Sequence, residues 1–162
     1  MITFIQQTNL KLISFLGFLS ILSACDAAST HKLQNLKVIK LQTPQGKIIK
    51  TYVAKTEQQQ RGGLSGIKKN DFPKNYGMLF PSNRMKLRQF WMPNTYFDID
   101  IFFMNADYYI IDVHRSLAKS PGLRAKEDVP LSKKVFSQHV LEMRSDSEIA
   151  KKLHPGMKLI KN

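Results

Sequence analysis

The segment FWMPNT and an aspartate shortly after it contain the side chains of this chain best suited to chemistry. Trp91 is the only tryptophan, and a buried indole N–H needs a hydrogen-bond acceptor. Asn94 and Thr95 can hydrogen-bond to nearby backbone and so fix a turn. Asp100 lies in an apolar stretch, where a buried carboxylate must find donors or have its pKa raised. We therefore predict a polar cluster of Trp91, Asn94, Thr95 and Asp100.

Three interpretations of this cluster follow from its residue types. In the first, the polar groups are structural and hold the register of a hairpin. In the second, Asp100 accepts a hydrogen bond from a ligand that lies beside Trp91. In the third, Asp100 is a general base in catalysis.

Two acids and two histidines are the candidates for a metal site. Asp112 and His114 share one face of an expected strand, while His139 and Glu142 belong to another strand. Strand alternation places His139 and Glu142 on opposite faces, which breaks up the set. We therefore predict no metal site and no cofactor.

Common catalytic motifs are missing from the sequence. It contains no Gly-x-Ser-x-Gly elbow, and the segment GGLSG at 62–66 lacks the lysine of a phosphate-binding loop. This segment follows a polar helix, so we interpret it as a helix stop. The single cysteine, Cys25, leaves no second thiol for a disulfide. These observations favour a protein that is not an enzyme.

The surroundings of Cys25 indicate export. Lys11 precedes an apolar run over residues 12–24, whose 13 residues are too few for a bilayer span of about 20. The run ends in LSAC at 22–25, which resembles a bacterial lipobox. We therefore predict a signal peptide over 1–24 and a lipoprotein carrying acyl chains such as palmitate on Cys25, an anchor stable enough to hold the protein on a membrane.

The residues after Cys25 predict where the protein goes and how it is organised. Asp26 resembles the signal that keeps some lipoproteins on the inner membrane. Residues 25–34 have no periodicity, so we predict a lipidated N-terminus and tether, followed by one globular domain over 35–162. The expected location is the bacterial cell envelope, with the domain facing the periplasm or the cell exterior.

The charge of the chain is strongly positive. It has 25 Lys and Arg against 12 Asp and Glu, a formal charge of +13, and loss of residues 1–24 removes only Lys11. In an exported protein, such a field favours anionic lipid, glycan or an envelope protein as partner, and we expect no nucleic acid. The alternative is a basic surface with no single partner.

Hydrophobic periodicity predicts strands with few helices. Residues 36–42 alternate in polarity, and TPQG at 43–46 supplies a turn to a second strand over 47–54. Thr56 should cap a short helix that Gly62 and Gly63 end. Residues 77–80 are expected to form a strand at a sheet edge.

The second half of the chain predicts a central hairpin within residues 90–114. One strand directs Ile99, Ile101 and Phe103 to one face and its alternate residues to the other. A strand over 135–143, a short helix in SEIAKKL and a last strand over 157–160 should follow. These elements indicate an α+β fold.

Ordered sequence blocks carry a resemblance to a known family. They are VAKT with a following Gly63-Leu64, GMLF at 77–80, FWMPNT at 90–95, IDIFF at 99–103, HVLEM at 139–143 and HPGMKL at 154–159. In this order and spacing, the chain resembles the domain-of-unknown-function-192 family over most of residues 50–160. The resemblance implies a compact, mainly antiparallel, barrel-like β domain with two short helices, and it implies no established activity.

Three positions depart from the usual pattern of that family. Ser65 replaces a methionine, Asp98 replaces a proline, and Pro93 replaces a lysine of the signature loop, whereas the family aspartate is kept as Asp100. Pro93 therefore removes a cation that could have bound an anion.

Our leading functional hypothesis is a non-catalytic envelope module that binds a partner protein, glycan or lipid near Trp91 and Asp100. The first alternative is an envelope hydrolase that uses Asp100 with His114 or His139. The second alternative is a purely structural lipoprotein.

Overall fold

The computed structural model describes residues 32–122 and 129–162. The predicted signal peptide over 1–24, the lipid acceptor Cys25 and Asp26 lie outside the described residues. Residues 32–34, which the sequence assigns to the tether, belong to the folded part, where Leu33 is buried. Within the described ranges, no helix is long and apolar enough to cross a membrane.

The described regular structure contains nine strands, one complete α-helix, helical residues 32–34, and two short 3-10 turns at Lys69–Asp71 and Ala150–Lys152. The strands are β1 Lys37–Gln42, β2 Ile48–Val53, β3 Tyr76–Phe80, β4 Lys86–Arg88, β5 Ile99–Met104, β6 Ile110–Leu117, β7 Val135–Ser137, β8 His139–Arg144 and β9 Ile160–Lys161. The helix, α1, is Glu57–Gly62.

Seven of these strands form one curled sheet in the order β6-β5-β8-β3-β2-β1-β9. Its neighbouring strands are antiparallel except for β2 and β3, which are parallel because α1 and the loop after it connect them. Strands β4 and β7 pair separately in a two-stranded sheet. The curled antiparallel sheet confirms the predicted α+β, barrel-like fold.

Helix α1 begins and ends at the predicted residues. Thr56 Oγ1 accepts a hydrogen bond from Gln59 N at 3.2 Å, and Gln59 Oε1 accepts one from Thr56 N at 2.9 Å, which together make a capping box. Gly63 ends the helix with a φ of +39°, a backbone conformation that favours glycine. The chain therefore turns back toward the sheet at residues 63–66.

The side chains of β5 divide the core into two parts, as the alternation predicts. Ile99, Ile101 and Phe103 pack into the first core, with Leu64, Ile67, Phe72, Phe80, Met92, Phe97 and Val140. Phe102 and Met104 pack into the second core, with Leu41, Ile49, Leu79, Leu141, Met143, Leu153 and Leu159. The sheet is thus covered by apolar side chains on both faces, and the two faces offer separate environments for polar groups.

Four predicted elements differ in the structure, and one is the last strand, which is expected over 157–160 but is Ile160–Lys161. The strand expected over 135–143 is divided at Gln138, because β7 pairs with β4 while β8 enters the main sheet. The helix predicted in SEIAKKL is only a 3-10 turn. Strand β3 lies between β2 and β8 instead of at an edge, and a Cβ on Gly77 would come within 2.6 Å of Leu141 Cδ1, so a larger residue here would require the Leu141 side chain to move.

Candidate functional site

An open cleft of about 380 Å³ lies on the side of the first core. Its walls come from the end of α1 and the loop after it, from β4 and the segment that follows β4, and from β8. Lining residues include Gln60, Arg61, Gly63, Leu64, Ser65, Lys86, Arg88, Phe90, Trp91, Met92, Thr95, Ile99 and Glu142. Its volume falls within the range of about 300–1,000 Å³ that small-molecule sites usually occupy.

Trp91 lies at this cleft and is 48% exposed. Its backbone forms an isolated antiparallel bridge with Leu131, and the next residue, Met92, donates from its N–H to Pro130 O at 3.1 Å. The indole is therefore not sealed in the core, because the backbone pairing directs Met92 into the core and leaves Trp91 outside. The exposed ring is available to a ligand or a surface.

Glu142 supplies the buried acid of the cleft. It is 4% exposed and lies in the middle of β8, where it shares a face with Val140 of the first core. Burial raises the pKa of Glu142 to about 8, although the nearby charges of Arg88 and Lys32 oppose the rise. At neutral pH the carboxyl is therefore mostly protonated and can both donate and accept hydrogen bonds.

The two cations near Glu142 are bonded to backbone carbonyls. Arg88 Nη1 donates to Phe80 O at 2.8 Å and to Gln138 O at 3.0 Å, and burial lowers the pKa of Arg88 to about 10. Lys32 Nζ donates to Gly62 O at 2.8 Å and to Ser65 O at 2.7 Å. Burial also lowers the pKa of Lys32. These carbonyl bonds hold both cations in place, so their charges act on Glu142 from fixed positions.

Asn94 and Thr95 tie loops together at the rim of the cleft. Asn94 adopts a φ of +48°, its Oδ1 accepts from Gly122 N at 3.1 Å, and its carbonyl accepts from Gly66 N at 2.8 Å. Thr95 Oγ1 donates to Pro93 O at 3.3 Å, and its carbonyl accepts from Ser120 N at 3.0 Å. Both residues therefore shape the backbone around the cleft, as their types suggested.

Asp100 lies on the opposite side of β5 from the cleft. It is buried on the face that carries Phe102 and Met104, whereas Ile99 lines the cleft. Asp100 Oδ2 accepts from Arg115 Nη1 at 2.6 Å, and Oδ1 accepts from Ser116 N at 2.9 Å. The prediction that Trp91 and Asp100 share one cluster is therefore corrected, because strand alternation separates them although they are near in sequence.

The surroundings of Asp100 explain why an acid lies in this apolar strand. The register between β5 and β6 shifts between Ile99 and Ile101, so that one extra residue of β6 lies opposite Asp100. Ser116 in this bulge has a φ of +48°, and its N–H is satisfied by the Asp100 carboxylate. The geometry supports the structural interpretation of Asp100.

The predicted acids and histidines do not converge. Asp112 pairs with Lys133 Nζ, and His114 Nδ1 accepts from Lys133 N at 3.0 Å. His139 stacks on Tyr108, with ring centroids 4.6 Å apart, on the other face of β8 from Glu142. Among residues 32–122 and 129–162, no group of three potential metal-ligating side chains of His, Cys, Asp or Glu is found.

The sequence analysis considers Glu142 only as a metal ligand and does not predict that it is the buried acid of the cleft. The available signal was its position in HVLEM, two residues after Val140 and therefore on a buried strand face. Lys32 and Arg88 gave no such signal, since one lies in a polar segment and the other among exposed cations.

The fold and the cleft define a small α+β protein built on a curled, mainly antiparallel sheet, with a cleft lined by a buried acid and an exposed tryptophan. A family model matches residues 39–160, and its description is DUF192, Uncharacterized ACR. The chain therefore belongs to the domain-of-unknown-function-192 family, as the sequence blocks suggested.

Two crystal structures share this fold. A proposed transcription regulator from Sinorhizobium meliloti is 24% identical, with a TM-score of 0.59, over 76% of this chain and 92% of that protein. A protein of unknown function from Novosphingobium aromaticivorans is 23% identical, with a TM-score of 0.62, over 87% of this chain and 99% of that protein. No curated protein sequence matches the chain. At these identities the similarity shows the fold alone.

Proposed function

We propose that this protein is an envelope lipoprotein, anchored through Cys25, whose domain binds a small ligand in the cleft between Trp91 and Glu142. The observation that carries the binding role is a buried carboxyl in an open cleft, next to the only tryptophan of the chain. A protonated carboxyl within an apolar wall orients a ligand by hydrogen bonding, and an exposed indole adds contact area.

The lining of the cleft defines the class of ligand. Leu64, Met92 and Ile99 offer apolar contact, while Arg61 and Lys86 carry positive charge at the cleft. Arg61 is paired with Glu57, which leaves Lys86 as the cation more available to a ligand. The best match is a small amphipathic molecule with an apolar or planar part and an anionic group.

The protonation state of the Glu142 carboxyl should control the affinity of the cleft for such an anion. We expect full-length protein to bind anilinonaphthalene sulfonate, with energy transfer from Trp91 as the signal. Because Glu142 ionises above a pKa of about 8, the dissociation constant should rise about tenfold between pH 7 and pH 9. The Glu142→Gln variant keeps a neutral polar group and should bind the probe equally well at both values.

Comparison of the wild type with Glu142→Gln distinguishes probe binding in the cleft from probe binding to other apolar surface. The probe could also bind exposed side chains outside the cleft, such as Phe136, but such binding would not respond to Glu142. If wild type and Glu142→Gln show the same change in affinity with pH, the proposed cleft site is incorrect. The same result would favour the purely structural alternative.

The proposed lipid anchor on Cys25 is tested separately from ligand binding. In a bacterial host, we expect the chain to be recovered with membranes, beginning at Cys25 and heavier by the mass of its acyl chains. Cys25→Ser removes the acceptor sulfur, so this variant should lack the added mass and keep residues 1–24. Mass spectrometry of both proteins tests this, and an unmodified Cys25 thiol in the wild type would contradict the anchor.

The hydrolase alternative receives no support from the geometry. Both carboxylate oxygens of Asp100 already accept hydrogen bonds, from Arg115 and from Ser116. His114 accepts a hydrogen bond from the Lys133 backbone, and His139 packs against Tyr108. A general base must also reach its substrate, and Asp100 is buried on the face of β5 opposite the cleft, so it is poorly placed for that role.

A further inference from the structure

An exposed apolar surface lies on the two-stranded sheet of β4 and β7 and its extension. Leu87 is 62% exposed and Phe136 60%, and the two are cross-strand partners. Trp91, at 48%, and Leu131, at 55%, form a second pair beyond them. We call these four residues, Leu87, Trp91, Leu131 and Phe136, the apolar ribbon.

The outer face of the ribbon departs from the usual arrangement of a strand in a water-soluble domain. The inward side is mixed, with Arg88, Ser132 and Ser137 buried beside the apolar Met92 and Val135, while the four large apolar residues of the ribbon point outward. Alternating strands normally place apolar residues in the core and polar residues in water. Four large apolar side chains on one exposed face indicate that this face meets an apolar phase.

The ribbon is held in position by inward polar bonds. The Arg88 guanidinium bonds to two carbonyls of the main body, Phe80 O and Gln138 O. Ser132 Oγ accepts from Phe90 N at 2.9 Å, and Phe90 O accepts from Ser132 N at 2.8 Å. The apolar side chains are therefore presented on a fixed support, which reduces the entropy lost when they bind.

The charged residues of the described segments that form the ribbon are all cations. Residues 81–92 and 129–139, which form it, contain no Asp or Glu and five cations: Arg84, Lys86, Arg88, Lys133 and Lys134. Arg84, Lys86 and Lys134 are exposed, and the nearby acid Asp112 is paired with Lys133. A positive border around aromatic and aliphatic side chains complements an anionic lipid surface.

We propose that the apolar ribbon docks on the surface of an anionic lipid bilayer, with Leu87, Leu131 and Phe136 in the acyl boundary and Trp91 at the headgroup level. Tryptophan favours that level because its ring is apolar and its N–H is polar. Docking would orient the domain on the membrane through its own side chains. The inference rests on neither the Cys25 anchor nor the cleft ligand.

Quenching of Trp91 by brominated lipid tests the docking directly, since this residue is the only tryptophan. Full-length protein is mixed with vesicles of equimolar phosphatidylglycerol and phosphatidylcholine that carry bromine on their acyl chains. We expect Trp91 emission to fall about twofold or more, and to recover as salt screens the lysines. Vesicles of brominated phosphatidylcholine alone should quench it much less.

Two matched double variants identify the surface. Leu131→Ser with Phe136→Ser removes ribbon side chains that do not line the cleft, and should remove most of the quenching of Trp91. Val38→Ser with Ile160→Ser removes two similarly exposed residues of β1 and β9, 48% and 49% exposed, and should leave quenching unchanged. Because the anchor is the same in every protein, the fraction of Trp91 emission quenched at saturating lipid compares the docking of the ribbon between variants.

Two results would overturn the proposal. One is Trp91 emission that anionic brominated vesicles leave unchanged in a folded wild-type protein. The other is self-association in sedimentation that the ribbon variant abolishes while lipid has no effect, because the ribbon would then bind a second copy of the chain. Loss of Glu142-dependent probe binding would leave this proposal standing, so the two failures are distinguishable.

Discussion

Replacing Asp100 by alanine should lower the free energy of unfolding by about 2–3 kcal/mol. The carboxylate is buried and pairs with Arg115 at 2.6 Å, and removing one partner of a buried pair leaves the other charge without compensation. The Arg115 side chain is 41% exposed, so solvent screens part of this loss. Chemical denaturation, followed through Trp91 fluorescence, measures the change.

The loss should exceed that of the ion pair alone, because Asp100 joins three segments. Its Oδ1 satisfies the N–H of Ser116 in the β6 bulge, which has an unfavourable positive φ. Through Arg115, whose guanidinium also donates to Ala150 O at 2.8 Å and to Leu153 O, it fixes the turn that closes the second core. Asp100→Asn should lose less stability, since its amide oxygen still accepts from Ser116 N.

Asp98 provides the matched control. It is exposed, and its Oδ1 accepts from Lys119 N at 2.9 Å, so Asp98→Ala should reduce the free energy of unfolding by about 1 kcal/mol or less. If Asp100→Ala were as stable as this control and instead lost binding of the anionic probe, Asp100 would belong to the ligand site. That result would reverse the structural assignment.

Strand alternation made much of the fold predictable. Ile99, Ile101 and Phe103 occupy one core and Phe102 the other, because side chains along an extended strand alternate and both faces of this sheet are covered. The limits of α1 followed from a capping residue and two glycines, whose preferences are local. Local chemistry of this kind is visible in a single sequence.

The site was harder to predict because it depends on contacts between distant segments. The sequence analysis places Asp100 in one cluster with Trp91 because the two are near in sequence. In the structure, the side-chain partner of Asp100 is Arg115, across the hairpin. The cations near Glu142 come from residue 32 and residue 88, and nothing in their own segments indicates the approach. A bulge in β6 decides the first contact, and hydrogen bonds from Lys32 and Arg88 to carbonyls of distant segments decide the second.

The exposure of Trp91 also depends on a contact between segments that are distant in sequence. The residue follows a short strand, and its exposure depends on the bridge to Leu131. The large apolar area of an indole favours burial, but backbone pairing determines which of Trp91 and Met92 enters the core. A one-residue difference in that pairing would exchange them, and hydrophobicity alone does not distinguish the two.

Glu142→Gln should change how the stability of the protein depends on pH. The pKa of Glu142 is about 8 in the folded protein, against an ordinary value of 4.5. Between these values the unfolded chain releases the proton and the folded protein keeps it. The wild type should therefore lose up to about 1.4 kcal/mol of unfolding free energy per pH unit as pH rises through this window.

The sign of the effect follows from burial. Below pH 4.5 the carboxyl is protonated in both states and contributes no pH dependence, and above pH 8 the folded protein must hold a buried negative charge near only two cations. Glutamine cannot ionise, so the stability of the variant relative to wild type should increase between pH 5 and pH 8 by about several kcal/mol. Urea denaturation at intervals across this range gives the difference, in which contributions from the histidines cancel.

A second variant distinguishes the loss of the ionisable group from changes in hydrogen bonding in the cleft. Glu142→Leu also removes the ionisable group but offers no polar atoms, so its absolute stability can differ from that of the glutamine variant. Its pH dependence should nevertheless match, because the slope reports only the lost proton. Curves for wild type and both variants that run parallel would mean that Glu142 is ionised in the folded protein. The cleft would then present a negative charge that repels the proposed anionic ligand.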